Sequence, residues 1–304
     1  MSIEKKYKGV VIPTVTPLNE DFSLDENAVE KMFDNFYKQS VLPFILGTTG
    51  EAASIPVKTK NAFIKKASVV KKAGTHLYVG ISSNCLEESI DAAKLCGDLG
   101  ADVAVATIPS YYALTESQIQ QYFEQLADVS PVPVIIYNIP ATTHVSLPLH
   151  IIDAVSYHPN IVGAKDSERS DERLQQSIAL WKNRADFSHF VGWAARSATA
   201  LMNGSDGIIP STGNLFPKVY DDLLQAIKEK DFDKANALQD ISDVLGSFYQ
   251  ANRTLGESLW ALKVLMQQID LCKPVVMPPL QPQLQEQKEK LIEVLTDWMK
   301  INNY

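Results

Sequence analysis

Lys165 closes the run Ile161-Val162-Gly163-Ala164, which carries no polar side chain. Its amine therefore emerges from a segment with the composition of a buried strand. Apolar surroundings disfavour an ammonium, lower the pKa and free the lone pair. A neutral amine attacks a ketone to give an imine. Once protonated, that imine is an electron sink, so a carbon–carbon bond beta to it can break or form. A strand-end lysine suits an ion pair with Asp166 or another carboxylate equally well. Two other groups bear on the choice. Thr48 and Thr49 lie between Gly47 and Gly50. Glycine lets backbone N–H groups approach a ligand closely, so this turn can take a carboxylate without a cation; a plain turn would read the same way. The Tyr137 phenol suits proton transfer, or else a core aromatic whose hydroxyl finds a backbone partner.

These residues are far apart in sequence, so the fold must bring them together. Short apolar, β-branched runs recur at Val10 to Val15, Phe44 to Leu46, Leu77 to Ile81, Val103 to Ile108, Val132 to Tyr137, Ile161 to Ala164, Phe187 to Val191 and Gly207 to Ile209. Such runs fit strands of a parallel sheet buried on both faces. Between them lie stretches with helical periodicity: Asp25 to Tyr37, Lys60 to Lys72, Leu86 to Leu99, Thr115 to Leu126, Leu147 to Val155 and Glu172 to Trp181. Ser23 and Thr115 stand where N-caps are expected, the latter with Gln118 three residues on. Eight such units predict an α/β fold, a (β/α)8 TIM barrel, over 1–216. No G-x-G-x-x-G follows the first run, which weighs against a dinucleotide-binding open sheet. Residues 217–304 read as a helical region packed on the barrel: Lys218 to Lys228, Phe232 to Tyr249, Glu257 to Gln268 and Leu284 to Met299 are helical, with Pro-rich Lys273 to Pro282 extended.

In such a barrel the chemistry sits at the C-terminal ends of the strands. The turn Gly47 to Glu51, then Pro109-Ser110-Tyr111-Tyr112, Tyr137-Asn138-Ile139-Pro140, Lys165-Asp166-Ser167, Gly192 and Ser211-Thr212-Gly213-Asn214 all fall there. An amine, a phenol and an anion-binding turn thus converge on one rim.

Composition bounds the partners. The 304 residues carry a formal net charge of -8, which argues against nucleic acid because phosphate binding needs clustered Lys and Arg. Cys85, Cys96 and Cys272 lack metal-ligand spacing and are too few for a disulfide framework. No metal is expected. The N-terminal apolar run is short and broken by Pro13, unlike a signal peptide, and no stretch approaches the roughly 20 residues of a membrane helix. A cytoplasmic protein is expected.

From about Gly9 to Pro282 the sequence resembles the Schiff-base lyases that include dihydrodipicolinate synthase and N-acetylneuraminate lyase. The matched pieces are Gly47-Thr48-Thr49-Gly50-Glu51, Tyr137-Asn138-Ile139-Pro140 and Gly163-Ala164-Lys165-Asp166-Ser167, in family order and spacing. Asp206-Gly207-Ile208-Ile209 and Met277-Pro278-Pro279-Leu280 are weaker matches. The resemblance implies that Lys165 forms the imine and Tyr137 moves protons. Thr48 and Thr49 then hold the 2-oxo-acid carboxylate, with Thr48 also in a proton relay. Tyr111 is similar to a relay tyrosine that crosses a subunit interface, which implies a homo-oligomer built as a dimer of dimers. Gly192 and the Ile209 carbonyl look like pocket wall, and Gly47, Ser167, Thr142 and Ser211 are further substrate-binding candidates. No cofactor is implied beyond the covalent imine.

The chain departs from the family at its specificity positions. Where dihydrodipicolinate synthases carry an arginine for the second substrate, this sequence has Thr142. Where sialic acid lyases carry an acidic pair, it has Ala194 and Ala195. Thr142 is more like the aldolases of 2-oxo-3-deoxy sugar acids. The function expected first is therefore a pyruvate-dependent aldolase or lyase, acting on such an acid or forming it from pyruvate and an aldehyde. Dihydrodipicolinate synthase, with Arg196 or another group replacing the arginine, comes second. N-acetylneuraminate lyase, a 2-oxo acid dehydratase or deaminase using the same imine, and a catalytically silent keto-acid binder follow. His144 and Arg196 are candidates for the substrate's far end, or else a loop packing residue and a surface ion-pair partner. Ser110 replaces the usual aromatic of the relatives' lysine-feedback pocket.

Overall fold

A computed structural model of the chain describes residues 5–302. Among these, eight parallel strands close into a barrel in chain order: β1 (Gly9–Pro13), β2 (Leu42–Ile45), β3 (Tyr78–Gly80), β4 (Val103–Ala106), β5 (Val134–Asn138), β6 (Ile161–Asp166), β7 (Ser188–Val191) and β8 (Gly207–Ile208). The expected (β/α)8 barrel is present; β3, β4, β7 and β8 are shorter than the apolar runs that contain them, whereas β2 begins before its run and β5 ends one residue past its own. β6 runs on through Lys165 and Asp166, so the lysine is a strand residue rather than the first residue of a loop.

Side chains alternate across each strand. Val103 and Val105 of β4 and Ile135 and Tyr137 of β5 fill the barrel interior with Phe44, Tyr78 and Phe190. Their neighbours Ala104, Ala106, Val134 and Ile136 join the larger core beneath the helices. Both faces are apolar, which is why the runs read as continuous rather than alternating.

Thr115 caps helix Glu116–Val129 with a complete capping box. Ser23 is not a cap. Asp25 caps helix Glu26–Lys38 through its carboxylate to Ala28 N, while the Ser23 hydroxyl is held by Asp21. Helix Ser197–Asn203 had no counterpart in the sequence reading, since its 7 residues span barely two turns.

The expected division at 216/217 falls between β8 and the helix that follows it. That helix, Pro217–Glu229, packs on β1. Helices Phe232–Gln250, Leu255–Gln268 and Gln285–Asn302 come after it and pack on one another. They reach the barrel mouth: Tyr249 bonds the Ser211 hydroxyl at 2.6 Å, and Lys263 forms an ion pair with Glu51. Among the described residues no helix is long and apolar enough to cross a membrane.

The outer face of β7 carries a pH-sensitive group. His189 is fully buried between the hydroxyls of Ser177 (3.1 Å) and Ser205 (3.0 Å). Burial, with Lys5 and Arg173 nearby, pushes its pKa down to about 3. An unfolded histidine titrates near 6.5. Between these values the unfolded chain binds a proton that the folded chain refuses, so stability falls as pH drops from about 6.5 towards 3. His189→Gln should flatten this acid limb, read as urea midpoints at pH 7 and pH 4. Equal midpoint losses in both proteins would remove His189 as a cause.

Candidate active site

The register of three strands builds the centre of the site. Tyr137 pairs with Lys165 across β5 and β6, and Lys165 with Phe190 across β6 and β7. Paired residues share a face, so all three point into the barrel. The Lys165 amine rests over the Tyr137 ring, 3.7 Å from its centroid, and 5.1 Å from that of Phe44. Phe44 meets Tyr137 edge-on. Lys165 is 3% exposed and Tyr137 4%.

This enclosure sets the electrostatics. Burial pushes the Lys165 amine below its ordinary value, against support for its charge from Tyr137. Burial alone would raise the Tyr137 phenol. The Lys165 charge and polar contacts with Lys165, Thr48 and Ser167 outweigh it, leaving the phenol below its ordinary value. The two are coupled: the phenol is lowered while Lys165 carries its charge, and burial is what drives the amine towards its neutral form. The alternative partner for Lys165 is engaged elsewhere. Asp166, on the opposite face of β6, accepts from Arg173 Nε at 2.6 Å and from the Asn138 amide at 3.0 Å. Asn138 is itself buried, and its side-chain Oδ1 accepts from Leu147 N. Asn138, Asp166 and Arg173 tie the ends of β5 and β6 together. Asn138 stood in a recognised motif without an assigned role, and the spacing from Asp166 to Arg173 was the only signal for the pair.

Thr48 Oγ1 lies 3.4 Å from the Tyr137 hydroxyl, which joins the Gly47–Glu51 turn to the phenol. The turn is closed by Gly50 N to Gly47 O and Glu51 N to Thr48 O. Thr49 is half-buried beside Thr48. A side chain at position 47 would strike the Phe44 ring at 2.8 Å.

Gly192 is held to β6 by a 2.6 Å bond from its N–H to Asp166 O. A Cβ there would fall 2.0 Å from Ser167 Oγ and 3.0 Å from Lys165 Cε. Ser167 and Gly192 thus stand beside the end of the Lys165 side chain. Gly192→Ala should cost about 1–3 kcal/mol of stability, the usual range for overpacking, and should slow any reaction of the amine. Denaturant midpoints and adduct formation check this, and wild-type values in both would show that the contact is not tight.

The other candidates divide. Ile209 is buried in the barrel interior, its N–H bonded to Val191 O, and Ser211 sits under Tyr249. Thr142, in the short helix Pro140–Thr143, lines a cavity of about 880 Å³ with Gly47, Thr48, Tyr137 and Asn84. This cavity runs outward between helices Val57–Val70 and Leu86–Leu99. Ser110 lies on its wall. Tyr111 is 78% exposed and packs edge-on against Tyr112, while Asn84 holds its loop by accepting from Ser110 N and Tyr111 N. His144 is exposed in a left-handed conformation that ends the short helix. Arg196 is bound to the Asp171 carboxylate at 2.6 and 3.0 Å and stacks on Trp193, so its guanidinium is committed to a surface ion pair.

Comparisons with known proteins bear on the family and the fold. Residues 6–298 match the Dihydrodipicolinate synthetase family. The sequence is 33% identical over 296 residues to an uncharacterized DapA-like lyase of Thermococcus kodakarensis, covering 95% of this chain and 100% of that protein. It is 28% identical over 302 residues to a putative 2-dehydro-3-deoxy-D-gluconate aldolase of Escherichia coli, YagE, covering 97% and 98%. The fold is similar to dihydrodipicolinate synthase from Bacteroides thetaiotaomicron, with a TM-score of 0.91, 28% identity and 97% and 99% coverage. It is also similar to YagE in complex with pyruvate, with a TM-score of 0.90, 26% identity and 96% and 98% coverage. With its barrel closed as in these structures and the family match spanning nearly the whole sequence, the chain belongs to the dihydrodipicolinate synthetase family of lyases and aldolases.

Proposed function

We propose that this protein is a pyruvate-dependent class I aldolase that cleaves a 2-oxo-3-deoxy acid to pyruvate and an aldehyde, or joins the two. The observation that carries the reading is the buried amine of Lys165, lowered in pKa and seated on Tyr137, with the Thr48 hydroxyl in reach of the phenol. The neutral amine adds to C2 of the 2-oxo acid, and loss of water leaves an imine. In the cleavage direction the C4 hydroxyl loses its proton and the C3–C4 bond breaks. Its electrons flow into the protonated imine to give an enamine, and the aldehyde departs. A proton then returns to C3, and water hydrolyses the imine to pyruvate and the free amine. Tyr137 moves these protons, with Thr48 and then Tyr111 of a neighbouring subunit as the relay. Thr48 and Thr49 hold the carboxylate, and Gly47, Ser167, Gly192, Ile209 and Ser211 form the wall. The electron sink is the imine itself, so the reading calls for no metal and no organic cofactor. The reading takes the protein as cytoplasmic and as a dimer of dimers, and a relay through Tyr111 requires at least the dimer.

The substrate follows from what lines the cavity. Thr142 is uncharged, and Arg196 is not on the wall and is spent on Asp171. A second substrate carrying a carboxylate, as in 4-hydroxy-tetrahydrodipicolinate synthesis, would find no cation at position 142, and the basic residue on the wall is Lys60 of helix Val57–Val70. A hydroxylated aldehyde suits Thr142 better, and the name of the Escherichia coli relative points the same way. The test is incubation with pyruvate and borohydride, followed by mass mapping and a panel of sugar-derived aldehydes. A reduced pyruvyl group on Lys165 and turnover of a 2-oxo-3-deoxy acid support the proposal. No adduct in excess pyruvate overturns it, and turnover only with aspartate semialdehyde would transfer the chain to the synthase reading.

A further inference from the structure

Glu51 closes the Gly47–Glu51 turn and borders the cavity, and its carboxylate is tied into the helical region. It is a non-glycine residue at φ 57°. Its carboxylate forms an ion pair of 2.5 Å with Lys263, both side chains 0% exposed. The second carboxylate oxygen accepts Met277 N at 2.6 Å, and Lys263 also donates to Val275 O at 2.6 Å. Lys263 sits in helix Leu255–Gln268, where every residue from Ser258 to Met266 is buried. The turn is pinned on its other side by Thr16 Oγ1 to Gly50 O at 2.6 Å.

A fully buried ion pair is a poor source of stability, since an apolar pair of equal volume does as well or better. What it supplies is a fixed position. Here that position is one backbone bond from the Thr48 carbonyl, through Glu51 N. We propose that Glu51 is a positioning residue: anchored by Lys263 and the Val275–Met277 backbone, it holds Thr48 and Thr49 at the geometry that receives the keto-acid carboxylate. The inference rests on the carboxylate role proposed for that turn. It makes helix Leu255–Gln268 part of the machinery that sets affinity for the keto acid, although the helix supplies nothing to the reacting atoms.

The experiment compares two ketones, one with a carboxylate and one without. Borohydride trapping is measured against concentration for pyruvate and for acetone in the wild type, Glu51→Gln and Glu51→Gln/Lys263→Met. The double variant removes both charges, so it keeps the question answerable if the single one, with a lone buried ammonium, fails to fold. The expected result is a rise of about tenfold in half-saturating pyruvate for a loosened turn, with acetone trapping unchanged and a near-native thermal midpoint for the double variant. Unchanged pyruvate saturation overturns the proposal. Equal losses for pyruvate and acetone also overturn it, because the lysine itself would then be disturbed. A wild type that traps no pyruvate sinks the functional reading instead.

Discussion

Lys165→Ala loses the borohydride-trapped pyruvate adduct entirely and reduces turnover by at least about 10³-fold, since no other route offers a covalent electron sink. Stability should move little or rise. The amine is buried over two aromatic rings, and a charge there is disfavoured to begin with. Its removal is therefore not the loss of a stabilising ion pair, unlike a change at Lys263. Lys165→Met fills the same volume without a nucleophile and separates cavity effects from chemistry. Both variants should melt near the wild type and trap nothing at this position. An adduct mapped to another lysine, with turnover retained, would overturn the assignment.

Much of this arrangement could be read from the sequence, for a physical reason. Strands buried on both faces leave continuous apolar runs, and eight of them in alternation with amphipathic helices admit few closures. The ends of those strands then name the mouth of the barrel, which is why Lys165, Tyr137 and Gly47–Glu51 could be assigned to one rim from the sequence. Register was not legible. That Tyr137 lies beside Lys165 rather than one pleat away depends on the shift in pairing between Val134 and Ile135, which no local pattern reports. The supporting contacts were also hidden. Lys263 interrupts an apolar helical stretch in the sequence, yet its partner is more than two hundred positions away. Arg196 looked available to a substrate because Asp171, which holds it, lies on another helix.

Tyr137→Phe is the sharper test of mechanism, because it removes one oxygen and keeps the rest. The ring stays under the Lys165 amine and edge-on to Phe44, so the fold and the burial of the lysine should survive. The bond to Thr48 Oγ1 is lost. If the phenol moves the proton, the rate should fall about 10²-fold or more, within the range for general acid–base groups. A second consequence follows from the charge balance. Tyr137 supports the Lys165 ammonium against burial, so without the hydroxyl the amine's pKa drops further. An amine is reactive only above its pKa. The acid limb of adduct formation should therefore move to lower pH in the variant even as turnover falls. Adduct rates from pH 5 to pH 9, set beside kcat, separate the two roles. A slower rate with an unmoved limb would keep the phenol in proton transfer but remove it from the lysine's charge balance, whereas an unchanged rate would leave Tyr137 a packing residue and send the proton through Thr48 or solvent instead.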